Sequence, residues 1–120
     1  MSKIIGLLGI LAMVVACKAT YLDQARDVVS IGDTREAAIE ALSVNAWYYQ
    51  PCMNLVTIHD LFFFGSHDYD EAQIVIVASK PDQGTNRVYD IGSFESNAWH
   101  TAYADCIDRT RFEDSAPSAP

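Results

Sequence analysis

The sequence predicts a small α+β domain in which an antiparallel sheet of three or four strands is covered by two helices and closed by one disulfide. Two patterns support this fold class: segments with helical spacing occur near both ends of the domain, and runs of β-branched and aromatic residues lie between them. A third observation is the odd number of cysteines, three, which leaves two to pair if one serves another purpose. We expect the domain to comprise residues 28–108, with a single core.

The N-terminus carries an apolar run, Ile4 to Ala16, of thirteen residues without a charged or polar side chain. A bilayer core of about 30 Å needs roughly 20 apolar residues, so the run is too short to span one and is typical of a signal-peptide core. A buried core helix is the alternative, and it is disfavoured because the run has no polar face. Residues 1–16 are therefore predicted to be a removed signal peptide.

The residues that end this run, Val14-Val15-Ala16-Cys17, resemble the bacterial lipobox, in which the chain is cleaved before the cysteine and the cysteine is acylated. The resemblance implies that Cys17 carries lipid and that residues 17–27 are a lipidated N-terminus and tether. More than one acyl chain makes membrane attachment lasting. We therefore expect an exported protein held by its acyl chains at the periplasmic face of the outer membrane or at the cell surface. The alternative is an ordinary secretory signal cut near Ala16 or Ala19.

If Cys17 is acylated, Cys52 and Cys106 remain, and an exported compartment favours a disulfide between them. Closing a loop of that length stabilises a fold by about 4 kcal/mol on the chain-entropy estimate. Neither cysteine has a C-x-x-C partner or a histidine at ligand spacing, so zinc and redox roles fit poorly. We expect no metal and no cofactor.

Charge restricts the class of partner. The chain has 8 basic and 16 acidic residues and a formal net charge of −8. Removal of residues 1–16 also removes Lys3, so the net charge becomes about −9. Such an acidic surface repels phosphate groups. We therefore expect no binding to nucleic acid and no direct binding to anionic lipid headgroups.

The first predicted helix runs from Thr34 to Leu42, because Asp33 or Thr34 can cap it and Glu36 stands at the capping-box position. Apolar segments after it predict an aromatic strand at 46–49 that ends at Pro51-Cys52, a loop at 55–58, a strand at 61–64, a central strand at 73–78 and a strand at 87–91.

From Phe94 onward, apolar residues recur every four positions, which favours a second helix with Trp99, Tyr103 and Cys106 on one face. This orientation would turn Cys106 toward Cys52. A strand is the competing interpretation. The tail, residues 109–120, is too polar and proline-rich to pack and is predicted to be disordered.

Catalytic motifs are poorly supported. The dipeptides His59-Asp60 and His67-Asp68 are found in metal-dependent phosphohydrolases, but those need a larger helical bundle with further ligands. No Gly-x-Ser-x-Gly elbow exposes a serine. The acidic stretch 68–71 lacks the glycine and final glutamate of a calcium loop, so we interpret it as a solvated turn. We predict no catalytic residue.

The aromatic residues give the clearest indication of a binding surface. Three consecutive aromatics, 62–64, cannot all point to one face of a strand. Tyr48 and Phe63 are therefore the candidate partner-binding residues, since exposed aromatics often anchor interfaces. The alternative is that the N-terminal segment or a helix covers them.

The stretch from Ile31 to Leu42 (IGDTREAAIEAL), followed by an aromatic strand, is similar to the helix-opening motif of the small lipoprotein family of the outer-membrane barrel-assembly machinery and of the related β-lactamase inhibitor fold. The Gly-x-Thr turn is present, with Asp33 in the middle, but the Leu-Gly-x-Pro helix ending is not. The resemblance implies a non-catalytic, protein-binding role. We thus expect a lipid-anchored envelope protein that binds or scaffolds another envelope protein. An inhibitor or ligand-binding module acting on a hydrolase is the alternative, and a small enzyme comes third.

Overall fold

The computed structural model describes residues 20–68, 71–94 and 99–107. The predicted signal peptide, Cys17 and the predicted disordered tail all lie outside these ranges. The described elements, in chain order, are α1 (Tyr21–Val28), α2 (Arg35–Ser43), β1 (Tyr48–Asn54), β2 (Thr57–Phe64), β3 (Gln73–Asp82), β4 (Thr85–Phe94) and the four-residue helix α3 (Trp99–Ala102).

The four strands form one antiparallel sheet in the order β1-β2-β3-β4, with α1 and α2 packed on it and one disulfide, which confirms the predicted α+β class. The strands are longer than predicted. β1 continues through Pro51 because an edge strand tolerates a residue without an N–H. β2 is one strand, since the side chains of His59 and Asp60 both find partners within the fold.

Helix α1 replaces most of the predicted tether, which is a correction. Thr20 caps it in a capping box with Asp23: the Thr20 Oγ1 accepts from the Asp23 backbone N–H, and the Asp23 carboxylate accepts from the Thr20 N–H. Ala25 is buried, and the Tyr21 ring stacks on Phe64 at 5.1 Å between centroids. The sequence did not predict this helix because the stretch has mixed polarity and only a narrow row of its residues is buried.

The predicted C-terminal helix is also corrected. β4 extends to Phe94, which pairs with Ile74, and among the described residues after Phe94 only Trp99–Ala102 is helical. Beyond it, the backbone N–H groups of Cys106 and Ile107 both donate to the Tyr103 carbonyl in a turn. The inward orientation of Tyr103 and Cys106 was nevertheless predicted correctly.

The sheet separates two apolar clusters, as predicted for a central strand that is apolar on both sides. We call the side covered by α1 and α2 the helix face; its buried strand residues include Phe62, Phe64, Val75, Val77 and Val88. We call the opposite side the disulfide face; its buried strand residues are Cys52, Leu61, Phe63 and Ile74. The segment 99–107 lies against the disulfide face through Tyr103, Cys106 and Ile107.

Both edges of the sheet carry an obstacle to further strand pairing. On β4, the Gly32 N–H donates to the Val88 carbonyl and the Val88 N–H donates to the Asp33 carbonyl, each at 2.8 Å. On β1, Pro51 stands in mid-strand. Prolines and covering loops are common means of blocking strand addition.

Two hairpin turns lie at the same end of the sheet. The β3–β4 turn uses Gln83 and Gly84, with φ of 52° and 85°; glycine is well suited here because two consecutive positive φ angles are required. The β1–β2 turn uses Leu55 and Val56, and Leu55 has a φ of 56°. Positive φ is uncommon for a branched side chain.

Candidate functional site

The predicted disulfide is present: Cys52 of β1 is bonded to Cys106, 54 residues later. Cys52 is buried, whereas Cys106 is partly exposed. The bond fastens the segment 99–107 to the disulfide face. Cys17 lies outside the described residues, so its lipidation stays a prediction.

The two aromatic candidates have different surroundings. Phe63 is 0% exposed, in contact with Trp47 and Tyr48 at ring-centroid distances of 6.0 and 5.3 Å. It is therefore a core residue rather than an exposed anchor, because the chain covers this face with its own aromatic rings. Tyr48 is half-buried, and its hydroxyl donates to Gln50 Oε1 at 3.0 Å. Its role in partner binding stays a prediction.

A buried polar cluster, formed by Arg35, Tyr49 and Asp60, lies on the helix face. The Asp60 carboxylate is 0% exposed. Arg35 at the start of α2 donates to it through both Nε (2.8 Å) and Nη2 (2.9 Å), and the Tyr49 hydroxyl donates to Oδ1 at 2.6 Å. A two-pronged pair of this kind is among the strongest protein hydrogen-bond arrangements. The cluster fixes the N-terminus of α2 over strands β1 and β2.

The surroundings favour a charged Arg35 and a neutral Tyr49. The hydrogen bond to Asp60 raises the pKa of the Arg35 guanidinium, and burial raises the pKa of the Tyr49 hydroxyl far above 10.0. Each polar group is thus satisfied by another member, so the arrangement serves to hold the fold. The sequence identified Asp60 only as half of an HD dipeptide; nothing in the spacing pointed to Arg35, 25 residues earlier.

A cleft of about 400 Å³ lies beside the disulfide, lined by Cys52, Met53, Asn54, His59 and residues 101–106. At its base the His59 Nδ1 and the Tyr103 hydroxyl are 3.0 Å apart and hydrogen-bonded. Burial raises the pKa of that hydroxyl. The cleft adjoins the β1–β2 turn, because its lining includes Met53 and Asn54, the last two residues of β1 before the turn.

An exposed apolar surface, which the sequence analysis missed, surrounds that turn. Met53 is 69% exposed, Leu55 93% and Val56 71%, and we call these three residues the apolar tip. No Asp, Glu, Lys or Arg occurs between Glu40 and Asp60, so the tip stands in an uncharged stretch of a strongly acidic chain. The signal was visible in the sequence as the run Met53-Asn54-Leu55-Val56, of which residues 55–58 were predicted only as a loop.

The other sequence motifs do not converge. His59 and Asp60 are consecutive in β2 and point to opposite faces of the sheet. The His67 ring lies against the Trp47 ring, with 4.4 Å between the ring centroids. Within residues 20–68, 71–94 and 99–107, no three His, Cys, Asp or Glu side chains come together as metal ligands. None of the helices in the described part of the chain has both the length and the apolar content needed to cross a bilayer.

Comparison with known protein families, curated proteins and solved structures finds no match to this chain. The function must therefore be argued from the residues and the geometry themselves.

Proposed function

We propose that this protein is a lipid-anchored protein of the bacterial cell envelope whose small, non-catalytic domain binds another envelope protein. The observation that carries the proposal is the Cys52–Cys106 disulfide. It consumes both cysteines of the folded domain, as expected in an oxidising compartment. Cys17 is then the one left over, at the end of the signal-like run.

The position of α1 supports a domain held close to the membrane. Its cap, Thr20, follows Cys17 by three residues, which span at most about 10 Å when extended. The first helical residue, Tyr21, packs on Phe64 at the end of β2 and against Gly65. An acyl chain on Cys17 would therefore hold the Phe64 end of the sheet nearer to the bilayer than the two hairpin turns, which lie about 23 Å away along β2.

A binding role without catalysis agrees with the chemistry of the buried groups. Asp60 and Tyr49, which would otherwise be candidates for acid–base work, are bonded to each other and to Arg35. The apolar residues Met53, Leu55 and Val56, by contrast, are exposed to solvent. The resemblance of residues 31–42 to small barrel-assembly lipoproteins supports the same role.

The projecting β1–β2 turn also favours a second candidate, an inhibitor that inserts this turn into the cleft of a hydrolase. A pull-down with the full chain and its disulfide intact separates the two. Envelope or barrel-assembly proteins among the captured partners favour the binding role, whereas a cell-wall or secreted hydrolase that loses activity in the complex favours inhibition.

The intact mass of the protein from its native membranes tests the anchor. We expect a chain that starts at Cys17 with two or three acyl groups and that lacks two hydrogens for the disulfide. An unacylated chain that starts near Thr20, or three free thiols, would reject the anchor and with it the envelope location.

A further inference from the structure

We propose that the apolar tip, Met53, Leu55 and Val56, is the docking surface of this domain and inserts into an apolar pocket of a partner protein whose surrounding surface is basic. The inference deepens the proposed binding function by naming the surface and the chemistry of the partner.

The presence of a leucine at position 55 is not accounted for by packing in the core or by contact with solvent. Leu55 is 93% exposed, so its side chain contributes almost nothing to the core. Its φ of 56° lies in the left-handed region, which Asn and Gly occupy more readily than a branched residue. Two-residue hairpin turns favour those same two residues. The positive φ and the solvent exposure of position 55 would both be better satisfied by asparagine or glycine than by leucine. Strained backbone of this kind concentrates at functional sites.

The apolar tip has the composition of an interface core. Its three residues lie in or next to one turn and are all exposed, and the nearest charged residues along the sequence are Glu40 before it and Asp60 after it. Interface cores are depleted of charge and enriched in methionine. Burying the tip therefore requires little desolvation of polar groups.

The cleft beside the disulfide could accept a side chain of the partner, next to the apolar tip that projects from the domain. Met53 belongs to the apolar tip and also lines the 400 Å³ cleft, together with Cys52, Asn54 and His59. A partner that surrounds Leu55 is thereby placed to insert a side chain of its own into the cleft. A knob and a hole next to each other give the shape complementarity that specific interfaces require.

Three other occupants are disfavoured by features already described. A membrane is disfavoured because the anchored end of the sheet is the opposite end, at Phe64. A second copy is disfavoured because each chain carries a formal charge of −8. Strand addition is disfavoured because Pro51 and the bonds from Gly32 and Asp33 obstruct the two sheet edges.

Charge complementarity defines the partner further. An uncharged tip on an acidic domain attracts a basic surface at long range and then makes apolar contact at short range. Association should accordingly slow as salt is added, because screening shortens the reach of the attraction.

Photocrosslinking in cells that make the full chain is the first test. A benzophenone amino acid replaces Leu55 in one variant and Val44 in the other; Val44 is 78% exposed at the end of α2, which makes it a matched exposed apolar position. We expect position 55 to label one protein within an apolar pocket bordered by Lys and Arg, and position 44 not to label it. Labelling of lipid, of a second copy or of the same proteins from both positions overturns the proposal, as does no labelling from position 55.

Affinity and thermal stability provide the second test, with the labelled protein purified. Leu55→Asn should raise the melting temperature, because asparagine tolerates positive φ, and weaken binding by about tenfold or more. Gln83→Asn is the matched control: it relieves the same backbone conformation at the neighbouring turn, so it should raise the melting temperature and leave affinity unchanged. Unchanged affinity for Leu55→Asn, or a lower melting temperature, overturns the proposal.

The outcomes separate this inference from the proposed function. Vesicles of phosphatidylethanolamine and phosphatidylglycerol should not sediment the unacylated domain; sedimentation that depends on Leu55 would assign the tip to a membrane instead. If intact mass shows acyl groups and position 44 rather than 55 labels an envelope protein, the binding function stands and the tip is rejected. If Cys17 is free but Leu55→Asn still weakens binding, the anchor is rejected and the tip stands.

Discussion

The helix face and the disulfide face of the sheet both carry a buried apolar cluster, but the two faces are covered by different means. On the helix face, two regular helices pack their apolar residues on the strands, and a polar cluster fixes the start of α2. On the disulfide face, the irregular segment 99–107 contributes Tyr103, Cys106 and Ile107, and a covalent bond holds it in place.

The difference shows what regular structure contributes to a small domain. A helix satisfies its own backbone hydrogen bonds and presents a continuous stripe, so burial alone can keep it in place. A short irregular segment buries only a few side chains and loses more conformational entropy for each of them. The disulfide offsets this deficit by restricting the unfolded chain.

The largest effect is expected from removing that bond. Cys52→Ala with Cys106→Ala should lower the free energy of unfolding by about 4 kcal/mol, the chain-entropy value for a loop of this size. Urea unfolding measures the loss, and hydrogen exchange locates it. Residues 99–107 and β1 should lose protection before α1 and α2 do. Equal loss on both faces would show that the two coverings are not independent, and reduction of the wild-type disulfide is the control.

Breaking the cluster on the helix face comes second. Asp60→Ala leaves the Arg35 guanidinium, which is only partly exposed, without its carboxylate and should cost about 3 kcal/mol in urea unfolding. The double variant Arg35→Met, Asp60→Leu should recover much of the loss, because apolar replacements of a buried ion pair are often tolerated. A double variant no more stable than Asp60→Ala would mean that the ion pair itself stabilises the fold.

A smaller and pH-dependent effect is expected at Tyr49. Tyr49→Phe removes a hydrogen bond to a carboxylate and should cost about 2 kcal/mol near neutral pH. In the native protein, burial raises the pKa of this hydroxyl, so above about pH 10 the unfolded chain releases its proton first and stability falls as pH rises. The variant should show a shallower fall above about pH 10 in urea unfolding. The Tyr103 hydroxyl, whose pKa burial also raises, contributes to the fall that remains. Identical slopes in the two proteins would contradict this assignment.

The smallest effect concerns Ser79, a buried residue of β3 whose hydroxyl has no hydrogen-bond partner in the described structure. Ser79→Ala should raise the free energy of unfolding by up to about 1 kcal/mol, since it removes a buried polar group that is not satisfied. Thermal melting detects the gain. A decrease would reveal a partner for this hydroxyl, and the neighbouring Ala78→Ser would then serve as the reverse comparison.

The elements of the fold differ in how well the sequence predicts them, according to whether local signals or tertiary contacts determine their structure. Helix α2 and strand β3 were predicted because a cap, an alanine-rich run and a β-branched run are local signals. Helix α1 was missed because its buried stripe is little more than Ala25 and half of Tyr21. The segment 94–107 was predicted as a long helix, and its apolar spacing is real, but sheet pairing of Phe94 and the bond at Cys106 override it.

The site residues divide in a comparable way. The disulfide could be predicted because counting cysteines needs no geometry. Phe63 could not be assigned to the core, since alternation tells which face a side chain takes and not what covers that face. The partnership of Arg35 with Asp60 is a tertiary contact without a local signal. The apolar tip could have been found from the run Met53-Asn54-Leu55-Val56, because residues 55–58 were predicted as a loop and loops lie at the surface.

The obstructed edges have a consequence for how the protein behaves when crowded. Molecules concentrated on one surface meet often, and open strand edges would let them join into fibrils. With a proline in one outer strand and a loop bonded along the other, the native fold is a poor template for such growth. Fibril formation should therefore require prior unfolding of the domain. In concentrated samples, the lag time of fibril formation should shorten when the disulfide is reduced.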